Sequence, residues 1–300
     1  MSFGLLHSGE LLSLVCAMTW AVAVLLFRKS GERVTPVALN LFKNAIALGL
    51  FLVTLPLIGV PYFPEAHGWR DWVTLLASGA LGIGVADSMF FASLNRLGAS
   101  NSALVDALYC PFVILCAWFY LGEPIGPSLI LSVLLMAGAI ILGTWQRSSG
   151  PRQHTRGQVA GAIALGIFAH FLMAVGIVVA KPVLAHADGW WVATVRLCGG
   201  AAFLVVHGLM PRHRADTLRC FRPGRTWIYS VPSAVIGAYI AMILWILGMK
   251  YTFASVASVL NQMSTIFIMI LAAIFLKERL TPRRVAAILM AFSGAVIVAL

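Results

Sequence analysis

The feature that most constrains this chain is the recurrence of apolar windows about 20 residues long, parted only by short polar breaks, along its whole length. A bilayer core of roughly 30 Å takes about 20 such residues per helix, and it offers no water to an unpaired backbone. Windows of this kind therefore become spanning helices. We read spans over 10–27, 36–58, 72–95, 100–121, 127–145, 158–180, 190–209, 227–249, 254–276 and 282–300. The expected fold class is all-α, a polytopic membrane protein of about ten transmembrane helices. Composition agrees, with 61% hydrophobic and 10% charged residues, as for a chain solvated by lipid. The run Met1 to Gly9 holds no Lys or Arg, unlike the basic flank of a cleaved leader, so the first span is read as retained.

A net charge of +11 in a soluble protein would point to nucleic acid, but here the position of the charges matters more. Sixteen of the 21 Lys and Arg residues, from Arg28 to Arg284, fall in loops on the side opposite the N-terminus. Only Arg70, Lys181 and Lys250 fall on the N-terminal side, and Lys43 and Arg196 lie inside spans. By the positive-inside rule the chain is a multi-pass protein of the bacterial inner (plasma) membrane with both termini external or periplasmic. Nucleic acid is not an expected partner; the lipid bilayer is. Cys16, Cys110, Cys116 and Cys198 lie in apolar spans and Cys220 in a basic loop, without disulfide or metal-ligand spacing. No metal and no cofactor is expected.

Sliding the second half over the first by 155 residues aligns 82–134 with 237–289 without a gap and with ten identities. They include Ala99-Ser100 with Ala254-Ser255, Phe112 with Phe267, Glu123 with Glu278 and Pro127 with Pro282. An offset of 153 pairs Lys43 with Arg196. The chain divides into a first five-helix repeat over 1–146, a cytoplasmic linker over 147–157 and a second five-helix repeat over 158–300. An odd number of spans makes the second repeat start on the opposite face, which is an inverted repeat. Such folds bind substrate near the midplane between the halves and expose it by alternating access.

The pattern Leu94-x-x-x-x-Ala99-Ser100 followed by Leu121-Gly122-Glu123-Pro124, repeated as Met249-x-x-x-x-Ala254-Ser255 and Leu276-Lys277-Glu278-Arg279, resembles the EamA-type modules of the drug/metabolite transporter superfamily. Lys43 and Arg196, in the second helix of each half, are similar to that family's frequent basic position, and Trp20 in Met18-Thr-Trp-Ala21 to its aromatic in the first helix. The counterpart region Ala169-His170-Phe171 departs from the usual Trp-Gly pattern. The resemblance covers essentially the whole chain. It implies a ten-helix carrier, commonly an exporter of amino acids, metabolites or drugs.

A charged or strongly polar group inside a span costs roughly 2.5–3.5 kcal/mol on insertion scales, so each one needs a partner or a role. Asp87 and Asp106 can bind a substrate ammonium or accept a proton, or else pair internally with Lys43 or Arg196. Lys43 and Arg196 can bind a carboxylate or phosphate, or lock helices through backbone carbonyls. His170 can relay protons or pack by hydrogen bonding. Asp106, Tyr109 and Cys110 share one helical face at i, i+3 and i+4, and Asn261, Gln262, Ser264 and Thr265 lie in the aligned region of the partner helix. Asp106 aligns with Asn261 and Asp87 with Met242, and this inequality points to one site between the halves. Phe90, Phe91, Trp118 and Trp245, with Trp20, are candidates for an aromatic wall. Trp69, Trp72, Trp190, Trp191, Trp227 and Tyr229 read as interfacial anchors, and Glu123 and Glu278 as loop or helix-start residues.

The substrate-binding set is therefore Trp20, Lys43, Asp87, Asp106, Tyr109, His170, Arg196, Asn261, Gln262, Ser264 and Thr265, with Asp87, Asp106 and His170 as proton-coupling candidates. No residues are assigned a catalytic role, because no Ser/His/Asp or HExxH constellation is present. The expected function is a secondary active transporter exporting a small metabolite, an amino acid or similar zwitterion. It would act as a monomer, moving its small-molecule substrate by exchange for protons or by an electrochemical gradient, since no GxxxxGK[ST] run offers ATP binding. A carrier of phosphate-bearing cargo, such as a nucleotide sugar, sugar phosphate or lipid-linked group, and a non-transporting membrane subunit are the alternatives.

Overall fold

A computed structural model of the protein describes residues 3–31, 34–106, 108–144, 156–275 and 282–299. The first half comprises α1 (Phe3–Gly31), α2 (Pro36–Leu57), α3 (Trp69–Gly79), a π-helical segment Ala80–Ala86, α4 (Asp87–Asp106), α5 (Tyr109–Leu121) and α6 (Pro127–Thr144). The second comprises α7 (Arg156–His186), α8 (Gly189–Gly208), α9 (Arg214–Cys220), α10 (Trp227–Ser233), a π-helical segment Ala234–Ala241, α11 (Met242–Tyr251), α12 (Ala254–Asn261), α13 (Met263–Phe275) and α14 (Pro282–Ala299). Six segments are long and apolar enough to cross a membrane, and four shorter apolar helices, Tyr109–Leu121, Pro127–Leu142, Ala254–Ile268 and Val285–Val298, bring the described segments to the ten read from the sequence. Most of the linker 147–157 and the stretch Leu276-Lys277-Glu278-Arg279 lie outside the described residues.

The packing maps onto itself when the halves are exchanged. α1 lies along α10, its π-segment and α11, as α7 lies along α3, its π-segment and α4; α2 packs on α8, α5 on α12, and α6 on α14. The π-segments obey the same relation, since 80–86 shifted by 155 residues gives 235–241, inside Ala234–Ala241. Each inserts an extra residue per turn beside the seam, and π-bulges concentrate at functional sites.

One reversal differs from its expected form. Residues 96–99 were expected as a break between two spans, yet α4 is helical from Asp87 to Asp106. It nevertheless turns back. A Cβ placed on Gly166 would meet both Ser93 at 2.6 Å and Val105 at 2.8 Å, whereas twelve residues of straight helix would separate them by about 18 Å. A separate helix interruption follows Asp106, and another follows Asn261 in α12, at positions equivalent under the 155-residue offset.

Small residues set how closely the halves meet. A Cβ on Gly79 would overlap the Arg196 carbonyl, and one on Gly199 the Leu76 carbonyl, so α3 and α8 touch backbone to backbone. Small-residue contacts of this kind replace the hydrophobic drive that lipid removes. Trp191, expected as an interfacial anchor, is instead buried at 1% exposure within the main apolar cluster, while Trp69 is 71% exposed. The indole N–H of Trp191 donates to the Tyr62 carbonyl at 3.1 Å, which allows its burial.

Candidate functional site

A cavity of about 210 Å³ lies between the halves, and all the substrate-binding candidates line it. α1 contributes Trp20, α2 Lys43, α7 His170 and α8 Arg196. The others sit where helices begin or end: Asp87 opens α4 after the first π-segment, Asp106 closes it, Tyr109 opens α5, Asn261 closes α12, Gln262 follows, and Ser264 and Thr265 fall in the first turn of α13. The i, i+3, i+4 face expected from Asp106 to Cys110 is thus interrupted. Cys110 turns away into a core cluster, where the Ser258 hydroxyl donates to its sulfur at 3.5 Å. The Gln262 amide donates across the seam to the Asp106 carbonyl at 2.9 Å, tying the two interruptions together.

Of the aromatic wall, Phe90, Phe91 and Trp245 line the cavity with Trp20. Trp118 does not join them; it is 56% exposed on the outside of the bundle.

The internal charges resolve into an ion pair, a close contact between an acid and an imidazole, and a remainder. Lys43 Nζ donates to Asp87 Oδ2 at 2.8 Å and lies 5.6 Å from the Phe91 ring, so this base and this acid neutralise each other. His170 Nδ1 stands 2.7 Å from the Gly166 carbonyl oxygen, which can only accept, so we assign the ring proton to Nδ1. His170 Nε2 then faces Asp106 Oδ1 at 3.0 Å. The two groups stand within ion-pair reach, but no hydrogen bond of good geometry joins them among the described residues, so Asp106 Oδ1 is itself a buried, unsatisfied acceptor. Phe90 packs edge-on against the ring at 5.4 Å and shields it.

Arg196 is the remainder. It is 2% exposed, its Nη1 reaches only the Gly176 carbonyl at 3.4 Å, and its guanidinium carbon lies 5.4 Å from the Trp245 ring. No carboxylate comes within ion-pair distance of it among the described residues. Arg196 Nε, Tyr109 Oη and both side-chain polar atoms of Asn261 are buried without a hydrogen-bond partner among the described residues. With Asp106 Oδ1 these make five such atoms on one cavity; buried polar atoms are paired in more than about nine cases in ten, so they describe a surface shaped for something else to complete. The site can therefore offer donors to an anion at Arg196 and two titratable groups at Asp106 and His170.

The family model for EamA-like transporters matches this chain twice, over residues 7–145 and 160–300. The chain belongs to the EamA-like transporter family. Among EamA-like relatives, it is 24% identical over 263 residues to protein PecM of Dickeya dadantii (strain 3937), covering 85% of this chain and 80% of PecM. It is 25% identical over 142 residues to the uncharacterized transporter YoaV of Bacillus subtilis (strain 168), covering 46% of this chain and 47% of that one. A crystal structure of a protein with 19% sequence identity matches with a TM-score of 0.78 over 97% of this chain and 96% of its own, a likeness of fold. The chain is thus a multi-pass membrane transporter of all-α architecture.

Sequence reasoning gave Glu123 too small a part. It lies outside the cavity lining, at the end of α5, where Gly122 with φ of +67° makes the left-handed turn that a glycine adopts without strain. From there Glu123 reaches into the other half. Its carboxylate accepts from the Ala254 amide at 2.8 Å, the Ser255 amide at 3.0 Å and the Ser255 hydroxyl at 2.6 Å, and pairs with Lys181 at 3.1 Å. Lys181 also donates to the Thr252 carbonyl at 2.7 Å. The repeated Ala-Ser and Glu of the sequence therefore meet across the seam, with the Glu of the first half capping the helix start of the second.

Proposed function

We propose that this transporter exports a small zwitterionic metabolite, an amino acid or close analogue, across the inner membrane by proton-coupled alternating access. The observation that carries this reading is Arg196, which has no carboxylate partner among the described residues, on the same cavity as the close pair Asp106 and His170. An unpaired buried cation is costly in lipid, and a substrate carboxylate at Arg196 would offset it. A substrate ammonium at Asp106 would take the place of a proton there, leaving His170 neutral. The charge around Asp106 is then the same with either a proton or an ammonium there, while Arg196 is neutralised only when the substrate carboxylate is bound. A cavity of about 210 Å³ lies below the roughly 300–1,000 Å³ of pockets for drug-sized ligands, which suits a small metabolite better than a nucleotide sugar. The asymmetric distribution of Lys and Arg supports an orientation with both termini outside the cytoplasm.

The test is a ligand-stabilisation screen of the purified protein with amino acids, nucleosides and sugar phosphates, followed by proteoliposome flux at varied pH. Amino acids should raise the melting temperature of the wild type and not of Arg196→Gln, and flux should follow an imposed proton gradient. Stabilisation by sugar phosphates alone, or amino-acid flux indifferent to the gradient, would overturn the reading.

A further inference from the structure

The spacing of His and Cys along the chain reveals no metal site, but folding brings three ligand-type residues together away from the transport cavity. His67 lies in the connection between α2 and α3, Asp71 in the first turn of α3, and His186 in the last turn of α7. Asp71 Oδ2 stands 3.4 Å from His67 Nδ1 and 3.4 Å from His186 Nε2, and the three ligand atoms lie within 4.8 Å of one another. We propose that His67, Asp71 and His186 bind a dication of the zinc class at this face of the protein, joining the first half to the second.

Three features carry the proposal. The distances are long for hydrogen bonds, yet two ligands about 2.05 Å from a tetrahedral ion lie about 3.3 Å apart. His67 is 9% exposed, and its Nδ1, aimed into the cluster, is buried without a hydrogen-bond partner. Its ring is also held in place: it stacks on Trp191 at 4.5 Å and 17°, and Trp191 is fixed by its bond to Tyr62 and by the edge of Trp72 at 5.0 Å. Two imidazoles and one carboxylate with room for a further ligand suit zinc or its late first-row neighbours, and not magnesium or calcium, which prefer all-oxygen sets. His186, at 57% exposure, gives the ion a way in from solvent.

Because the ligands come from both halves, occupancy would brace the packing of α3 against α7. The experiment uses the full chain, purified in detergent and stripped with a chelator, then titrated calorimetrically with zinc chloride and, as a control, magnesium chloride. We expect one saturable zinc site, no magnesium binding, a raised melting temperature with zinc, and zinc-edge absorption showing nitrogen and oxygen ligands only. His186→Gln and His67→Gln should each weaken zinc binding at least tenfold. The exposure of His186 makes its variant a fair test, since the metal-free melting temperature should match the wild type. The proposal fails if zinc does not bind, if both variants keep wild-type affinity, if sulfur ligands reveal one of the free cysteines, or if affinity is lost instead in His207→Gln, whose ring stacks on His213 at 5.1 Å and offers a rival site.

Discussion

Replacing Glu123 by Gln keeps the shape of the side chain and removes its charge, so it isolates what the carboxylate does between the halves. A Gln can turn only one oxygen toward its donors. If that oxygen keeps the Ala254 amide and Lys181, the amide group of the Gln faces the Ser255 N–H, and one bond of 3.0 Å is lost outright. A hydrogen bond to a charged group contributes about 1.5–3 kcal/mol, and the surviving bonds fall to roughly half strength once neutral. Lys181, 16% exposed, keeps the Thr252 carbonyl and some solvent, which holds the total below the cost of a fully buried orphan charge. We expect a loss of about 3 kcal/mol, read as denaturant or thermal unfolding in detergent. Lys181→Met should cost less, about 1–2 kcal/mol, because three donors still hold the carboxylate. The double variant should show coupling of about 1 kcal/mol.

The same contact has a pH signature. Burial raises the pKa of Glu123, but Lys181 and the Ser255 and Ala254 donors outweigh it, and the net effect is to hold the carboxyl below its usual range. A depressed carboxyl stabilises the fold above its unfolded pKa of about 4.3, and that stability is lost as pH falls through the folded value. Wild type should therefore lose stability on acidification below about pH 4 more steeply than Glu123→Gln. Equal acid sensitivity, or a Glu123→Gln protein that unfolds like wild type, would refute the argument.

Asp106→Asn keeps an acceptor but removes the charge and the capacity to take up a proton beside His170, so transport should lose its dependence on the proton gradient in proteoliposomes while the protein still folds; retained coupling would contradict the assignment. Gly79→Ala forces a methyl into the Arg196 carbonyl and should destabilise by about 1–3 kcal/mol, whereas Gly49→Ala, with nothing within 4 Å, should be neutral or stabilising in an unfolding assay. Met242→Asp should supply Arg196 with an internal carboxylate, giving a protein that melts no lower than wild type but no longer responds to substrate. Undiminished flux in that variant would show that Arg196 is not the anion site.

The ten segments and their pairing were legible because lipid leaves one simple rule, a run of about 20 apolar residues, and because duplication writes that rule twice. The candidate cavity residues were legible for a related reason: a polar side chain in a span stands out against its background, as Asp87, Asp106, His170 and Arg196 do. What sequence did not give was partnership. Nothing in the spacing of His170 and Asp106, 64 positions apart, foretells that they meet at 3.0 Å, and nothing near Glu123 foretells that its donors are at Ala254 and Ser255. These depend on which faces the π-segments and helix interruptions turn inward. The burial of Trp191 was missed for the opposite reason, since an aromatic at a span edge looks alike whether it meets lipid headgroups or a folded loop.

The repeat also explains why Arg196 has no ion pair among the described residues. In the first half Lys43 projects from α2 toward the start of α4 and finds Asp87 at 2.8 Å. In the second, Arg196 projects from α8 toward the equivalent start of α11, where the aligned residue is Met242. The scaffold has duplicated the position of the base but not that of the acid. A similar divergence separates Asp106, whose carboxylate faces His170 at 3.0 Å, from Asn261, whose side-chain polar atoms have no partner among the described residues. Each departure from symmetry removes an internal partner on the same side of the cavity wall, so the second half keeps the geometry of an ion-pair network and loses its neutrality. A fully symmetric pair of halves would satisfy itself and have little electrostatic reason to bind anything. It is the unequal pair that leaves Arg196 without a carboxylate and Asp106 beside His170 facing one cavity, the arrangement on which the proposed exchange rests.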